Sequence, residues 1–271
     1  MFGIQKNIRL KPYKEAGVWR KLSVATWDNA DEACFYGWVD FDAAGINKTL
    51  ENFRAQEKKI SVTTIAAKGL AVAISAYPKV NGLLRFGRIY NRETVDIFLQ
   101  VAPDADSDEL TGIVIRECDR KSLEEINEEI KIRTGKIKKE GEDEFKAIGT
   151  LTKWFPPFAL RMLLKLAAFI NYDLNLWASW MGTPRDAFGS AMVTSVGMLG
   201  IQRGLAPLMP HSRCPIIITV GRMEEKPVVK DGIVAVAEVL PISATMDHRL
   251  IDGVGASKMF KALTEYLKEP Y

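Results

Sequence analysis

The sequence is poor in the side chains that build disulfide frameworks and metal sites. It has three cysteines and two histidines among 271 residues. Cys34, Cys118 and Cys214 lie far apart and form no Cys-x-x-Cys pair, which argues against a disulfide framework and fits a reducing compartment. His211 is predicted to lie in a loop without a second metal ligand near it, so no metal site is expected. Cys214 is predicted to be a small buried residue at the entry of a strand.

Long apolar runs and an excess of one charge are also absent. No stretch of about eighteen apolar residues occurs, so no membrane span is expected, and the N-terminus shows no signal peptide. The net charge is +3, and acids and bases are interleaved, as in residues 120–125. This balance argues against nucleic-acid binding. Together these absences predict a cytoplasmic protein.

What is present fits a single domain over residues 1–271. Hydrophobic residues make up 47% of the chain and charged residues 26%, which is ordinary for a protein with a well-buried core. Strands and helices are predicted in mixed order without a linker, which favours an α+β fold. A turn near Asn91 is expected to join the second and third strands. The predicted strands are 34–42, 83–88, 94–101, 110–116, 191–196, 216–220 and 234–243, and the predicted helices are 43–58, 63–76, 121–137 and 255–267.

His248 is the residue that best fits catalysis on spacing alone. It follows an apolar strand and precedes the last helix, and a strand-to-helix junction can hold a side chain rigidly at the mouth of a pocket. Imidazole titrates near neutral pH and is the commonest general base. Asp252 follows four residues later, where it could equally cap the helix through its oxygen. A merely packed or solvated histidine is the alternative for His248, and spacing leaves both interpretations open.

The segment around His248 resembles a known active site. Residues 243–256, Ser-Ala-Thr-Met-Asp-His-Arg-Leu-Ile-Asp-Gly-Val-Gly-Ala, closely resemble the active-site segment of the 2-oxoacid dehydrogenase dihydrolipoamide acyltransferases. Residues 189–200 look like the Gly-Thr-Phe-Thr-Ile-Ser-Asn-Leu-Gly segment of that family, and residues 222–231 look like its hairpin before the catalytic strand. The matches follow the family's order over about 18–150 and 187–270. Shorter matches are 20–22, 77–81 and 119–123.

The resemblance implies a coenzyme A-dependent acyltransferase with a chloramphenicol acetyltransferase-like sandwich of mixed sheet and helices. It implies a homotrimer in which one subunit supplies the histidine and the next supplies a hydroxyl. His248 would take the proton of a thiol, either coenzyme A or dihydrolipoamide, and the thiolate would attack a thioester. A thiol pKa of about 8.5 and a histidine pKa of about 6.5 put this transfer within reach of neutral pH.

The other site residues follow from the same resemblance. Thr194 aligns with the hydroxyl that stabilises the oxyanion, although without the resemblance it would be an ordinary strand threonine. Ser195 is the alternative donor if the register shifts by one, because only one of the two can face the pocket. Asp252 is expected to hold the turn and to pair with an arginine near the N-terminus, for which Arg20 is the candidate. Gly253 is expected to support the site.

The sequence departs from the family in two places. It has no lipoyl domain and no Asp-Lys-Ala lipoylation motif, so a lipoyl group would come from another chain. Residues 152–186 replace a short polar connection by an apolar helix followed by Trp177 and Trp180. This insertion could pack onto the trimer or a larger assembly, lie in a membrane interface through residues 155–180, or roof a wider acyl pocket.

Three functions compete at this point. The leading hypothesis is an active acyltransferase that uses coenzyme A as a substrate and binds no metal. The second is a non-catalytic trimeric or cage-forming scaffold derived from an acyltransferase core. The third is a membrane-surface acyltransferase with a lipid-like acceptor. The presence of His248, Asp252 and Thr194 favours an enzyme, and the sequence does not specify the acyl chain or the acceptor.

Overall fold

The computed structural model describes residues 33–101, 111–140, 155–178, 185–230 and 232–271. Within these ranges a mixed sheet of seven strands packs against helices, which is the α+β architecture predicted from the sequence. Among the described residues no helix has both the length and the apolar composition needed to cross a membrane. The strands are β1 (Cys34–Asp42), β2 (Gly82–Arg85), β3 (Arg88–Asn91), β4 (Ile97–Val101), β5 (Thr111–Ile115), β6 (Ala191–Ser195), β7 (Ile216–Val220), β8 (Glu224–Lys230) and β9 (Ile233–Asp247). The helices are α1 (Ala44–Ala55), α2 (Val62–Ala76), α3 (Leu123–Glu140), α4 (Pro157–Ala168) and α5 (Gly253–Lys268).

The sheet is organised around the long strand β9. The strand order is β1-β9-β7-β6-β4-β5, and β8 pairs with the first part of β9. β6 runs parallel to its neighbours β4 and β7, whereas the other pairings in this sheet are antiparallel. The last part of β9 lies between β1 and β7, so the residue that follows Asp247 leaves the sheet at a well-supported end.

One face of the sheet carries the main core. Val193 of β6 and Ile218 of β7 point into a cluster that includes the buried side chains of α2 and α5. Helices α2 and α5 approach closely at Gly69, where an added Cβ would lie 2.8 Å from the Tyr266 ring. Leu70 on α2 is fully buried, and its replacement by alanine would cost about 2–5 kcal/mol. The helix predicted over 63–76 is therefore confirmed, and most of it is buried.

The opposite face of the sheet is covered only in part. Met192 of β6 and Ile217 of β7 belong to a second, smaller cluster. Leu208 and other residues of the segment before β7 complete this cluster. On β1, in contrast, Tyr36 and Trp38 are 54% and 59% exposed. The face opposite the helices thus leaves part of its surface open in a single chain.

The predicted turn near Asn91 is wrong. β2 and β3 form a separate two-stranded hairpin whose turn lies at Phe86 and Gly87. Both residues have positive φ, 46° and 75°, as the two-residue turns that match strand twist require. Asn91 ends β3, and the next strand of the main sheet begins only at Ile97. A phenylalanine in the first turn position concealed the turn, because that position usually holds Asn, Asp or Gly.

Candidate active site

The loop between β9 and α5, residues 247–253, is hereafter the catalytic loop. Asp247 shapes it: one carboxylate oxygen accepts the backbone N–H of Arg249 at 3.0 Å, and the carboxylate pairs with the Arg249 guanidinium at 2.6 Å. The backbone N–H of Ile251 donates to the carbonyl of Asp247 at 2.9 Å. These bonds close a tight turn around His248. The sequence prediction missed this ion pair, although its Asp-x-Arg spacing is visible in the chain.

The His248 ring is oriented on two sides. Its Nδ1 lies 3.2 Å from the carbonyl oxygen of Ile251, and its ring packs at 5.0 Å from the ring of Phe35. A carbonyl can only accept, so Nδ1 carries the proton and Nε2 keeps its lone pair. The side chain is exposed in a single chain. This tautomer and this exposure are those that a general base needs.

Asp252 lies at the start of α5 as its N-cap. Its side chain accepts the backbone N–H of Gly255 at 2.7 Å, and its backbone is extended. The capping interpretation is therefore the one that the geometry realises within one chain. Gly253 is the first residue of α5, and a Cβ there would meet nothing within 4 Å. Arg20, the partner predicted for Asp252, lies outside the described residues.

Thr194 and Ser195 end β6 and point to opposite faces of the sheet. Strand alternation places Thr194 on the face of Met192 and Ser195 on the helix-covered face of Val193. Both residues are half-buried. In the part of the chain that the structure describes, the Thr194 hydroxyl has no hydrogen-bond partner. It is therefore available to donate to a ligand from the less covered face.

A single chain does not bring Thr194 and His248 together. Thr194 pairs with Thr219 of β7, and Thr219 pairs with Ser243 of β9. His248 lies five residues beyond Ser243, which corresponds to about 17 Å along the strand. The predicted base and the predicted oxyanion donor thus lie near opposite ends of these strands, and a single chain does not place them next to each other.

A cavity of about 280 Å³ lies beside the catalytic loop. Asp247, Arg249 and Leu250 line one side, and Leu84 and Cys214 contribute to the rest. Burial raises the pKa of the Cys214 thiol to about 12, so this cysteine stays protonated and is not a nucleophile at neutral pH. The prediction of Cys214 as a buried residue at a strand entry is confirmed.

The second histidine, His211, lies in a loop, as predicted, and is half-buried. It lies in the short turn Pro210–Ser212 and packs against the Phe188 ring at 5.8 Å. Burial lowers its pKa to about 4, so it is neutral at physiological pH. Across the described ranges no group of three or more His, Cys, Asp or Glu side chains could hold a metal ion.

Comparisons with known protein sequences connect this geometry to one family. The family model described as 2-oxoacid dehydrogenases acyltransferase (catalytic domain) matches residues 20–146 and 184–271. The chain is 25% identical over 225 residues to the dihydrolipoyllysine-residue acetyltransferase component of the pyruvate dehydrogenase complex of Staphylococcus epidermidis. That alignment covers 79% of this chain and 40% of the relative. The chain therefore spans well under half the length of this curated relative.

Solved structures show the same fold. The cubic core of the pyruvate dehydrogenase multienzyme complex superposes with a TM-score of 0.68 at 17% identity, over 98% of this chain and 97% of that one. Azotobacter vinelandii dihydrolipoamide acetyltransferase, studied for the role of a serine, a histidine and an asparagine in its mechanism, gives 0.63 at 18% identity, over 93% and 85%. A chloramphenicol acetyltransferase gives 0.52 at 10% identity, over 94% and 96%. These likenesses confirm the predicted sandwich of mixed sheet and helices.

Proposed function

Because the chain belongs to the 2-oxoacid dehydrogenase acyltransferase family through its catalytic domain, we propose that it moves an acyl group between coenzyme A and a thiol acceptor. The observation that supports this most is the His248 ring, whose Nδ1 lies 3.2 Å from the Ile251 carbonyl. That contact fixes the tautomer in which Nε2 is a base. The family match does not favour the two alternatives, a non-catalytic scaffold and a membrane-surface acyltransferase with a lipid-like acceptor.

The proposed reaction is a thiol-thioester exchange. Nε2 of His248 takes the proton of the incoming thiol, and the sulfur forms a bond to the thioester carbonyl carbon. The tetrahedral intermediate collapses, the carbon–sulfur bond to the departing thiol breaks, and that thiolate takes the proton back from His248. The Ile251 carbonyl accepts the Nδ1–H and holds the ring in position between these steps.

Thr194 is proposed as the donor to the oxyanion of the tetrahedral intermediate. Its hydroxyl points to the less covered face of the sheet, whereas Ser195 points to the helical side. A donor aimed at the developing charge typically contributes about a hundredfold or more in rate. Ser195 stays the alternative donor, because a neighbouring chain could also approach the end of β6.

Asp252 is proposed to stabilise the conformation of the catalytic loop. In the Azotobacter vinelandii enzyme the asparagine studied lies four residues after the histidine, which is the spacing of Asp252 from His248. Both side chains have an oxygen that can cap a helix. The pairing of Asp252 with Arg20 and the supporting role of Gly253 stay predictions.

A homotrimer would complete the site. Thr194 and His248 are too far apart in one chain to act on one substrate, so the two must come from different copies. The uncovered surface around Tyr36 and Trp38 offers one contact face. The arm formed by β8 and the start of β9 exposes Val229 and Val234, each more than 70% accessible, and offers another. Larger assemblies, a cytoplasmic location and the description of residues 1–271 as one domain with an insertion at about 152–186 stay predictions.

The acyl acceptor is proposed to be a thiol on another molecule. Coenzyme A would be one substrate, and a lipoyl group would be supplied in trans by another chain. That neither nucleic acid nor a metal ion takes part stays a prediction. The acyl chain is left open by the residues around the catalytic loop.

The test is thiol release from acetyl-coenzyme A and longer acyl thioesters, with dihydrolipoamide or a lipoyl domain as acceptor. We expect His248→Ala to lose about 10²- to 10⁴-fold in rate, the usual contribution of general acid–base catalysis. His211→Gln is the matched control, because it removes the other histidine and should keep the activity. An unchanged rate in His248→Ala, or no turnover by the native protein with any thiol, would contradict the proposal.

A further inference from the structure

Among the described residues the imidazole of His248 has one polar partner, the carbonyl oxygen of Ile251, which lies 3.2 Å from Nδ1. The side chain is exposed in a single chain. The χ2 torsion of a histidine is broad and roughly two-fold, so one hydrogen bond leaves the ring plane free to tilt. A base that must meet an incoming thiol at Nε2 needs a second contact that fixes this plane.

The start of β1 supplies this second contact. The backbone N–H of His248 donates to the carbonyl of Ala33 at 2.7 Å, which extends the pairing of β1 with β9 one residue beyond Asp247. Two residues further along β1, the ring of Phe35 lies against the imidazole, with the ring centroids 5.0 Å apart and the planes tilted by 51°. This end of β1 therefore contacts both the backbone and the ring of His248.

Phe35 is itself held by the body of the protein. It lies opposite Met246 in the antiparallel pairing of β1 with β9, and its side chain is half-buried and packs against the main core. Its neighbour Tyr36 points to the opposite, open face of the sheet. The ring of Phe35 thus contacts the core on one side and the catalytic loop on the other, and it offers the imidazole a fixed surface.

We propose that Phe35 is a positioning residue for acyl transfer. Its ring holds the imidazole of His248 in the plane in which Nδ1 faces the Ile251 carbonyl and Nε2 is left for the thiol. This inference rests on the proposed function of His248 as the base. Aromatic rings at this separation pack favourably in tilted arrangements, and a displacement of a reacting group by about 1 Å can cost about a hundredfold in rate.

The test is the steady-state rate of thiol release by Phe35 variants of the full chain. Phe35→Leu keeps an apolar side chain but removes the flat ring, and we expect kcat to fall by about ten- to a hundredfold with little change in KM for the acyl thioester. Phe35→Tyr keeps the ring and should retain most of the rate. Phe41→Leu is the matched control, because Phe41 packs in the same core from the other end of β1 and stacks on Phe260 at 6.5 Å. It should lower stability and keep kcat.

A second measurement observes the imidazole directly and needs no substrate. The ¹⁵N chemical shifts of the ring nitrogens at alkaline pH distinguish a ring protonated on Nδ1 from one protonated on Nε2. The chain has two histidines, so a His211→Gln background leaves the signals of His248 alone. We expect the Nδ1-protonated ring in this background and a mixture of the two tautomers when Phe35→Leu is added. Phe35→Tyr and Phe41→Leu should keep the single tautomer.

Each outcome decides the proposal. A lower kcat together with mixed tautomers in Phe35→Leu, both absent from Phe41→Leu, supports it. A native kcat in Phe35→Leu overturns it, and so does an equal loss in Phe41→Leu or a loss without any change in the ring signals, because Phe35 would then only stabilise the fold. If the native protein turns over no thioester, the proposed function fails, and the ¹⁵N comparison alone then decides whether Phe35 orients the ring.

Discussion

The catalytic loop and residues 155–178, the insert, are fixed by different kinds of contact. In the loop, the side-chain hydrogen bonds of His248 and Arg249 join residues two or three positions apart, and Phe35 supplies a distant ring contact. In the insert, Asp173 is held by partners 40 and 88 positions away. The loop also lies within the matched family region, and the described insert lies outside it. The side-chain bonds of the loop are therefore mostly local, whereas those of the insert depend on residues far away in the chain.

The largest effect expected from a substitution in this comparison is at Thr194, the proposed donor to the oxyanion. Thr194→Ala should lower the rate of acyl transfer by about a hundredfold, because it removes one donor to the oxyanion. Thr194→Ser should keep most of the rate, since it keeps the hydroxyl. Ser195→Ala is the matched control and should have a small effect, because that side chain points to the helical face. The reverse pattern in steady-state kinetics would assign the donor to Ser195.

Mixing two inactive variants tests whether the site is shared between copies. If His248 and Thr194 act from neighbouring subunits, trimers that contain both His248→Ala and Thr194→Ala chains should regain about a third of the native sites, because one of the three neighbouring pairs then combines an intact His248 with an intact Thr194. Each variant alone should stay inactive. The measurement is thiol release after co-expression with two different tags and purification through both. No recovery in the mixed assemblies would show that both residues act from the same chain.

The sequence predicted the loop better than the insert, because the side-chain contacts of the loop are mostly local and those of the insert are distant. The segment around His248 contains most of its own side-chain partners, so its pattern was enough to place His248 at a strand-to-helix junction. Helix α4 was also predicted, but which side it would expose depends on Arg85 and Arg213, which lie far away in the chain. The tautomer-setting carbonyl of Ile251 was missed because a backbone group leaves no mark in the residue pattern.

The β2–β3 hairpin and the last helix show the limits of pattern alone. The predicted turn near Asn91 failed because Phe86 adopts a left-handed conformation that its residue type rarely signals. On α5, which was predicted as a helix over 255–267, Met259, Leu263 and Tyr266 are buried while Phe260 is only half-buried. Tertiary packing decides these positions, since several apolar residues satisfy the same helical period.

The pH dependence of stability tests the turn Pro210–Ser212, which lies beside the insert. His211 lies in the turn against which α4 packs, and burial lowers its pKa to about 4. The unfolded chain therefore takes up a proton first as the pH falls below about 6.5, and stability is lost from there down to about pH 4. The loss at pH 5 should be about 2 kcal/mol relative to pH 7.

The control for this titration is His211→Gln, which cannot take up the proton. Urea unfolding of both proteins at pH 7 and pH 5 gives the two differences, and carboxylates contribute equally to each. The native protein should lose about 2 kcal/mol more than the variant. Identical pH dependence in the two proteins would mean that His211 is solvated in the folded state. Helix α4 would then not shield this turn from water.

The smallest expected effect is at Asp252, and it decides how the loop is held. Asp252→Ala removes the cap of α5 and should lower the free energy of unfolding by about 1 kcal/mol, with a fall in acyl transfer because His248 loses its support. Asp252→Asn keeps the capping oxygen and should keep both properties. If asparagine is as damaging as alanine, the negative charge is what matters, and the pairing with Arg20 becomes the better account. The capping bond joins residues three positions apart. If Asp252→Asn retains both stability and activity, this local bond is what supports the end of the loop and the first turn of α5.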